Sequence, residues 1–262
     1  MLAFPVSNGM IATTPEELKA LRAAGKILSG VLIDVAALCK EGANTAELDL
    51  AAEHAIVSRG AVPAFLNYQP EGAAYPYPAT LCVSINDEVV HGIPNEKRIL
   101  RDGDILSIDA GLNYQGYFVD AARTLCIGKG DEQAHKLITA TKEALASAIG
   151  VARVGNHVGD IGAVVAGIAA KYRLGIVRDL GGHGVGKAVH EKPFIANDGK
   201  RGEGEEIIAG MVLAIEPMLA EGKGDIVLDE DEWTYRMEDG KRAAHFEETV
   251  LITETGAEIL TA

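Results

Sequence analysis

Apolar positions along this chain pass from a helical to a strand-like period twice, in the same order in each half. Leu18, Leu21, Leu28, Leu32, Val35 and Leu38 recur at helical spacing. They follow Thr14-Pro-Glu-Glu17, a capping box with proline in the first turn, so a helix is expected to about Lys40. Asn44-Thr-Ala-Glu47 caps a second helix, carried through Leu48, Ala52 and Ile56 to a stop at Gly60. Next comes a loop holding Pro63, Pro70, Pro76 and Pro78, too rich in proline for regular structure. Its Tyr68, Tyr75 and Tyr77 fit a core plug or a pocket wall equally well. The second half repeats the order, with a helix from Asp131 to Gly150, a boundary at Gly155-Asn156, a further helix to about Tyr172, and then glycine-rich strands.

Two short stretches mark the repeat most sharply. Gly103-Asp-Ile-Leu-Ser-Ile-Asp109 and Gly210-Met-Val-Leu-Ala-Ile-Glu216 are both apolar strands that end on a carboxylate. A repeat this long is not a solenoid, so two helix-helix-sheet halves, about 14–128 and 129–262, are expected to pack as one pseudo-symmetric α+β domain spanning 1–262. A ligand at the seam would draw on both halves.

Composition narrows the partners. The 262 residues are 48% hydrophobic, ample for a sizeable core, and carry 24 basic against 38 acidic residues, a net charge of −14. No Lys/Arg cluster is long enough to follow a phosphate backbone, so nucleic acid and anionic membrane are poor partners. Cys39, Cys82 and Cys126 are odd in number and widely spaced, which fits a reducing compartment. The N-terminus lacks the basic region and apolar run of a leader, and no stretch reaches transmembrane length, so a cytoplasmic protein is expected.

The acids supply the candidate chemistry. In the strand from Asp104 to Leu112, Ile105, Ser107 and Asp109 share one face. A turn at Asn113-Tyr-Gln-Gly116 would place Asp109 directly opposite Asp120. Opposed like charges destabilise a sheet unless a cation or a proton lies between them. Such a pair alone is an ordinary surface feature, but Glu216 ends an apolar run, and Glu247 lies in another, on a face shared with His245, Thr249 and Leu251. Glu248 falls on the opposite side, as a solvated or salt-bridged neighbour. His183 is framed by glycines in Gly181-Gly-His-Gly-Val-Gly186. Four carboxylates and one imidazole suit manganese, iron, cobalt or zinc, and four negative charges balance two divalent ions. Two such ions sharing a water would generate a hydroxide nucleophile at neutral pH, so metal-assisted hydrolysis is the expected reaction class.

Taken in order, these motifs resemble the bacterial-type, extension-free type I methionine aminopeptidases. They are Ser84 to Pro94, Asp109 with Asp120, the segment from Gly181 to Pro193, Ile215-Glu216-Pro-Met, and Phe246-Glu247-Glu-Thr. The resemblance covers about Thr14 to Thr261. It implies a pita-bread fold, a pseudo-two-fold pair of halves around a central antiparallel sheet. It also implies removal of initiator methionine from nascent proteins and peptides whose second residue is small, near the ribosome and by a monomer. Asp120 and Glu247 would bridge two divalent ions, Asp109 would chelate one, and His183 with Glu216 would complete the other. Glu216 would also shuttle the proton, while His190 and His91 would contact the substrate beside the metals. Tyr77, Cys82 and Trp233 match pocket positions. Val189 replaces a common aromatic and would leave a wider pocket floor.

Two alternatives share the fold. A proline-specific peptidase uses the same five ligands but carries a substantial N-terminal domain, for which there is no room before the first ligand-bearing hairpin. A non-catalytic binding protein would have lost ligands that are all present here. His54, His135 and His157 are expected at the surface, and His245 is undecided.

Overall fold

A computed structural model describes residues 9–262. Residues 1–8, part of the terminus expected to lack a leader, lie outside the described residues. Thr14 caps α1 (Pro15–Leu38) as a capping box. Its hydroxyl accepts from the Glu17 N–H at 3.2 Å, and the Glu17 carboxylate accepts from the Thr14 N–H at 3.1 Å. Asn44 caps α2 (Thr45–Ser58) by accepting from the Ala46 N–H at 2.8 Å. The strands of this half are β1 (Val62–Pro63), β2 (Leu81–Ile85), β3 (Glu88–Val90), β4 (Ile105–Tyr114) and β5 (Tyr117–Cys126). The second half opens with α3 (Glu132–Val151), whose cap is Asp131, and α4 (Val158–Tyr172). There follow β6 (Gly175–Ile176), β7 (Gly181–Gly184), β8 (Glu191–Ala196), β9 (Val212–Ile215) and β10 (Met218–Ala220). The chain closes with β11 (Ile226–Leu228), β12 (Tyr235–Met237), β13 (Ala243–His245), β14 (Glu248–Thr253) and β15 (Gly256–Ile259).

Among the described residues all strand pairing is antiparallel, and the expected helix-helix-sheet order is what forms in each half. The sheet core is divided between a first sheet, β1-β4-β2 with β5, and a second, β15-β14-β9-β7-β8. Alternation along the second sheet fixes what covers it. Val212, Ala214 and Leu251 join the core of α1 and α2, whereas Leu213, Ile215 and Val250 join that of α3 and α4.

The seam between the sheets is where β5 meets β13 and β14. Glu247 donates its N–H to the Ala122 carbonyl at 3.0 Å. On one side, the Thr249 hydroxyl accepts from the Asp120 N–H at 2.9 Å and donates to the Asp120 carbonyl at 2.7 Å. On the other, the Thr124 hydroxyl donates to the His245 carbonyl at 2.5 Å and accepts from the His245 N–H at 3.0 Å. Threonines thus satisfy backbone groups that the gap between sheets would orphan. They hold Asp120 and Glu247 in the same layer.

Two expectations are corrected. The hairpin register differs by two residues, pairing Asp109 with Ala122 and Asp120 with Gly111. The turn residues are Gln115 and Gly116, with φ of 55° and 86°, the left-handed pair that a two-residue hairpin turn requires and that glycine adopts freely. A shift of two preserves the face, so the two acids remain diagonal neighbours on one side of the sheet. The apolar run from Ala244 to Ile252 is not one strand. It passes from β13, paired with β10, to β14, paired with β9, with Phe246 and Glu247 at the step. The partner strand breaks at the same level, where Pro217 has no N–H to give the ladder. Glu216 and Glu247 therefore sit at matching breaks, their side chains free to turn toward the seam.

Candidate active site

A cavity of about 290 Å³ opens at this seam, and Asp109, Asp120, His183, Glu216 and Glu247 all face it. β4 and β5 supply the first two acids, β7 the histidine, and the two strand breaks the glutamates. One ligand atom each from Asp120, His183 and Glu247 lie within 4.8 Å of one another. Glu216 approaches this group with Oε1 3.5 Å from His183 Nε2. Asp109 faces Asp120 closely enough for each carboxyl to perturb the other. The glycine frame around His183 has a packing reason. A Cβ on Gly184 would lie 2.0 Å from the Lys192 carbonyl oxygen, and one on Gly182 2.3 Å from that of Ala214.

The donor set fits a divalent cation. Asp109 Oδ1, Asp120 Oδ1 and Glu247 Oε1 are buried without a hydrogen-bond partner, a costly arrangement unless a cation completes it. His183 Nδ1 lies 2.9 Å from the Gly184 carbonyl, which can only accept, so the proton is on Nδ1 and Nε2 presents its lone pair toward the acids.

Without a cation the acids repel one another. Burial raises Asp109 and Glu247 far above the ordinary carboxylate range, with neighbouring acids adding to the effect. Burial also moves Glu216 from 4.5 up to about 8, His183 opposing and Asp120 reinforcing the shift. A carboxyl raised in the folded state contributes stability that is present below its unfolded value and lost as pH rises through the folded one. Buried His91 and His245, lowered from 6.5 to about 4, act only on the acid side of 6.5. Calorimetry of the metal-free protein is therefore expected to show a midpoint falling as pH rises from 6.5 to about 8. The fall should amount to about 2–4 °C per kcal/mol lost, and saturating Mn²⁺ should abolish it. A level midpoint in the metal-free protein would contradict the clustering.

The remaining histidines fall into two groups, those at the cavity and those away from it. His190 lies beside His183, ring centroids 4.5 Å apart, and burial with the neighbouring histidines holds it well below its ordinary range. His91, at the end of β3, adopts a left-handed φ of 59° and faces the cavity, its ring edge-on to Trp233 at 6.2 Å. His54 and His135 are exposed and His157 is half-buried. His245, undecided from sequence, lines the cavity with Nε2 3.3 Å from Glu216 Oε2. Glu248 is salt-bridged, to Arg123 at 2.8 Å.

The apolar end of the cavity is built from Tyr77, Cys82, Trp233 and Phe65. Tyr77 turns its hydroxyl away toward the carbonyls of Leu81 and Gly92, at 3.2 and 3.0 Å, leaving its ring as wall. Val189 belongs to the same apolar cluster, packed behind the cavity rather than lining it. Phe65 supplies an aromatic in that cluster from the loop after β1. Sequence reasoning missed Phe65 and did not assign Tyr68, because a proline-rich loop has no period to show which way side chains point.

A buried carboxylate and imidazole cluster at the seam of two pseudo-symmetric halves defines a metal-dependent hydrolase. Residues 19–254 match Metallopeptidase family M24, and the chain belongs to that family. It is 46% identical over 249 residues to a methionine aminopeptidase of Aquifex aeolicus, covering 94% of this chain and 96% of that one. The crystal structure of a methionine aminopeptidase from Thermotoga maritima matches with a TM-score of 0.92 at 38% identity, over 96% of this chain and 99% of that one. The prolidase of Pyrococcus horikoshii shares the fold at a TM-score of 0.72 and 23% identity, with 64% of its length covered.

Proposed function

We propose that this chain, as one catalytic unit, removes the initiator methionine from nascent proteins and peptides whose second residue is small. The observation that carries the reading is a set of buried acids with unpartnered oxygens, opening onto an apolar pocket. The reading extends to a monomer acting in the cytoplasm near the ribosome. Among the described residues no helix is long and apolar enough to cross a membrane.

Asp120 and Glu247 would hold two divalent ions jointly, with Asp109 on one and His183 and Glu216 on the other; cobalt, manganese, iron and zinc all suit these donors. The chemistry such ions supply when bound is Lewis acidity, which makes water nucleophilic at neutral pH. Glu216 takes a proton from the attacking water on its carboxylate and returns it to the leaving amine. Beside cations the charged form of Glu216 is favoured, so it starts as the base. His190 donates a hydrogen bond to the oxygen that gains charge, and His91 contacts the substrate backbone. The walls of Tyr77, Cys82, Trp233 and Phe65 take the thioether side chain by packing and soft contacts.

Protein stripped by a chelator and titrated with Mn²⁺ or Co²⁺ is expected to regain methionine release from Met-Ala-Ser and to leave Met-Leu-Ser intact. Release without metal, or equal release from both peptides, would refute the reading.

A further inference from the structure

Tyr68 stands in the proline-rich loop, yet its place is fixed. The Asn67 N–H donates to the Tyr77 carbonyl at 2.9 Å and the Tyr77 N–H to the Tyr68 carbonyl at 2.8 Å. The loop is thus pinned across its base by two backbone hydrogen bonds involving a pocket residue. The Tyr68 hydroxyl then reaches His190 Nδ1 at 2.8 Å, with the two rings 5.3 Å apart and tilted by 50°. Burial, reinforced by the charge of Asp120, pushes the phenol up to about 12, so it keeps its proton throughout the working range.

Two adjacent histidines therefore face partners of opposite kind. His183 Nδ1 meets a carbonyl, which only accepts. His190 Nδ1 meets a phenol, a good donor and a poor acceptor. The first partner leaves a lone pair on Nε2, as a cation requires. The second occupies the lone pair of Nδ1 and leaves the ring proton on Nε2.

We propose that Tyr68 is a positioning residue that locks His190 as the Nε2–H tautomer, so that a donor, not a lone pair, meets the oxygen gaining charge in the transition state. The inference rests on the peptidase reading above. A neutral imidazole has one N–H. Were it on Nδ1, Nε2 would oppose the developing oxyanion with electron density. The pinned loop supplies the donor already oriented, with little reorganisation left for the reaction step.

The test is a long-range ¹H–¹⁵N spectrum of the full chain loaded with diamagnetic Zn²⁺, with the His190 signals assigned by their loss in His190→Gln. Wild type is expected to show the Nε2–H pattern. Tyr68→Phe keeps the ring and removes the donor, and is expected to admit the Nδ1–H form. Its kcat on Met-Ala-Ser should fall about tenfold with KM within about twofold. Tyr68→His, which restores a donor, should recover part of kcat. An Nδ1–H pattern in wild type would overturn the proposal, as would a Tyr68→Phe variant with unchanged tautomer or unchanged kcat. The spectrum needs no substrate, so it reads the tautomer whether or not methionine is cleaved. Failure of the peptidase reading would appear separately, as absent cleavage by wild type.

Discussion

Glu216→Gln is expected to lower kcat by about 10²–10⁴-fold at saturating metal, the range for loss of a positioned acid-base group. The amide keeps the size of the side chain and can still offer an oxygen, but it cannot take a proton from water and return it to the leaving amine. Stability should move the other way. Glu216 is buried and its carboxylate is disfavoured in the metal-free fold, its value moved up to about 8. Replacing it with a neutral isostere should therefore raise the metal-free melting midpoint at pH 8.5. The combination of lost activity and gained stability marks a residue kept for chemistry. Steady-state kinetics at saturating Mn²⁺ with parallel calorimetry reads both. A variant retaining more than about a tenth of kcat would remove Glu216 from the proton path.

His190→Ala is the second large effect. It deletes a donor aimed at the site of developing charge, for which about a 10²–10³-fold loss of kcat is expected with a smaller change in KM. Truncation also leaves the Tyr68 hydroxyl without the ring nitrogen it now meets at 2.8 Å. The comparison with Tyr68→Phe is informative, because that variant keeps the imidazole and should lose less. An alanine variant that changes KM alone would reduce His190 to a binding contact.

The residues that carry charge were the most legible part of the chain. Asp109 and Glu216 stand in matching apolar runs, Glu216 just past the end of β9 but Asp109 within β4, which runs on to Tyr114, contrary to the expectation that both runs end on their acid. An acid in such a run is conspicuous because a buried strand has no use for it unless a partner is near. Face parity survived even where register failed. The two-residue hairpin turn moved Asp120 from opposite Asp109 to its diagonal, but a shift of two leaves both side chains on the same side. Less could be read where chain partners far apart in sequence decide the geometry. The step at Phe246 and Glu247 follows from β13 and β14 pairing with different strands, which no local pattern encodes. The threonine bridges of Thr124 and Thr249 across the seam read locally as ordinary strand residues. Phe65 and Tyr68 were obscured by the aperiodic loop that carries them. Their roles come from what the loop is pinned against.

The most direct test of the assignment is a competition assay. The holoenzyme with Mn²⁺ would be given equal amounts of Met-Ala-Ser, Met-Leu-Ser and an Ala-Pro peptide in one vessel, and the products followed by mass spectrometry. Free methionine from Met-Ala-Ser alone, lost on chelation and restored by metal, is the expected result. Cleavage of the Ala-Pro peptide in preference would place the chain with the proline-specific enzymes of the same fold. No cleavage of any peptide despite bound metal would contradict a catalytic role for the cluster.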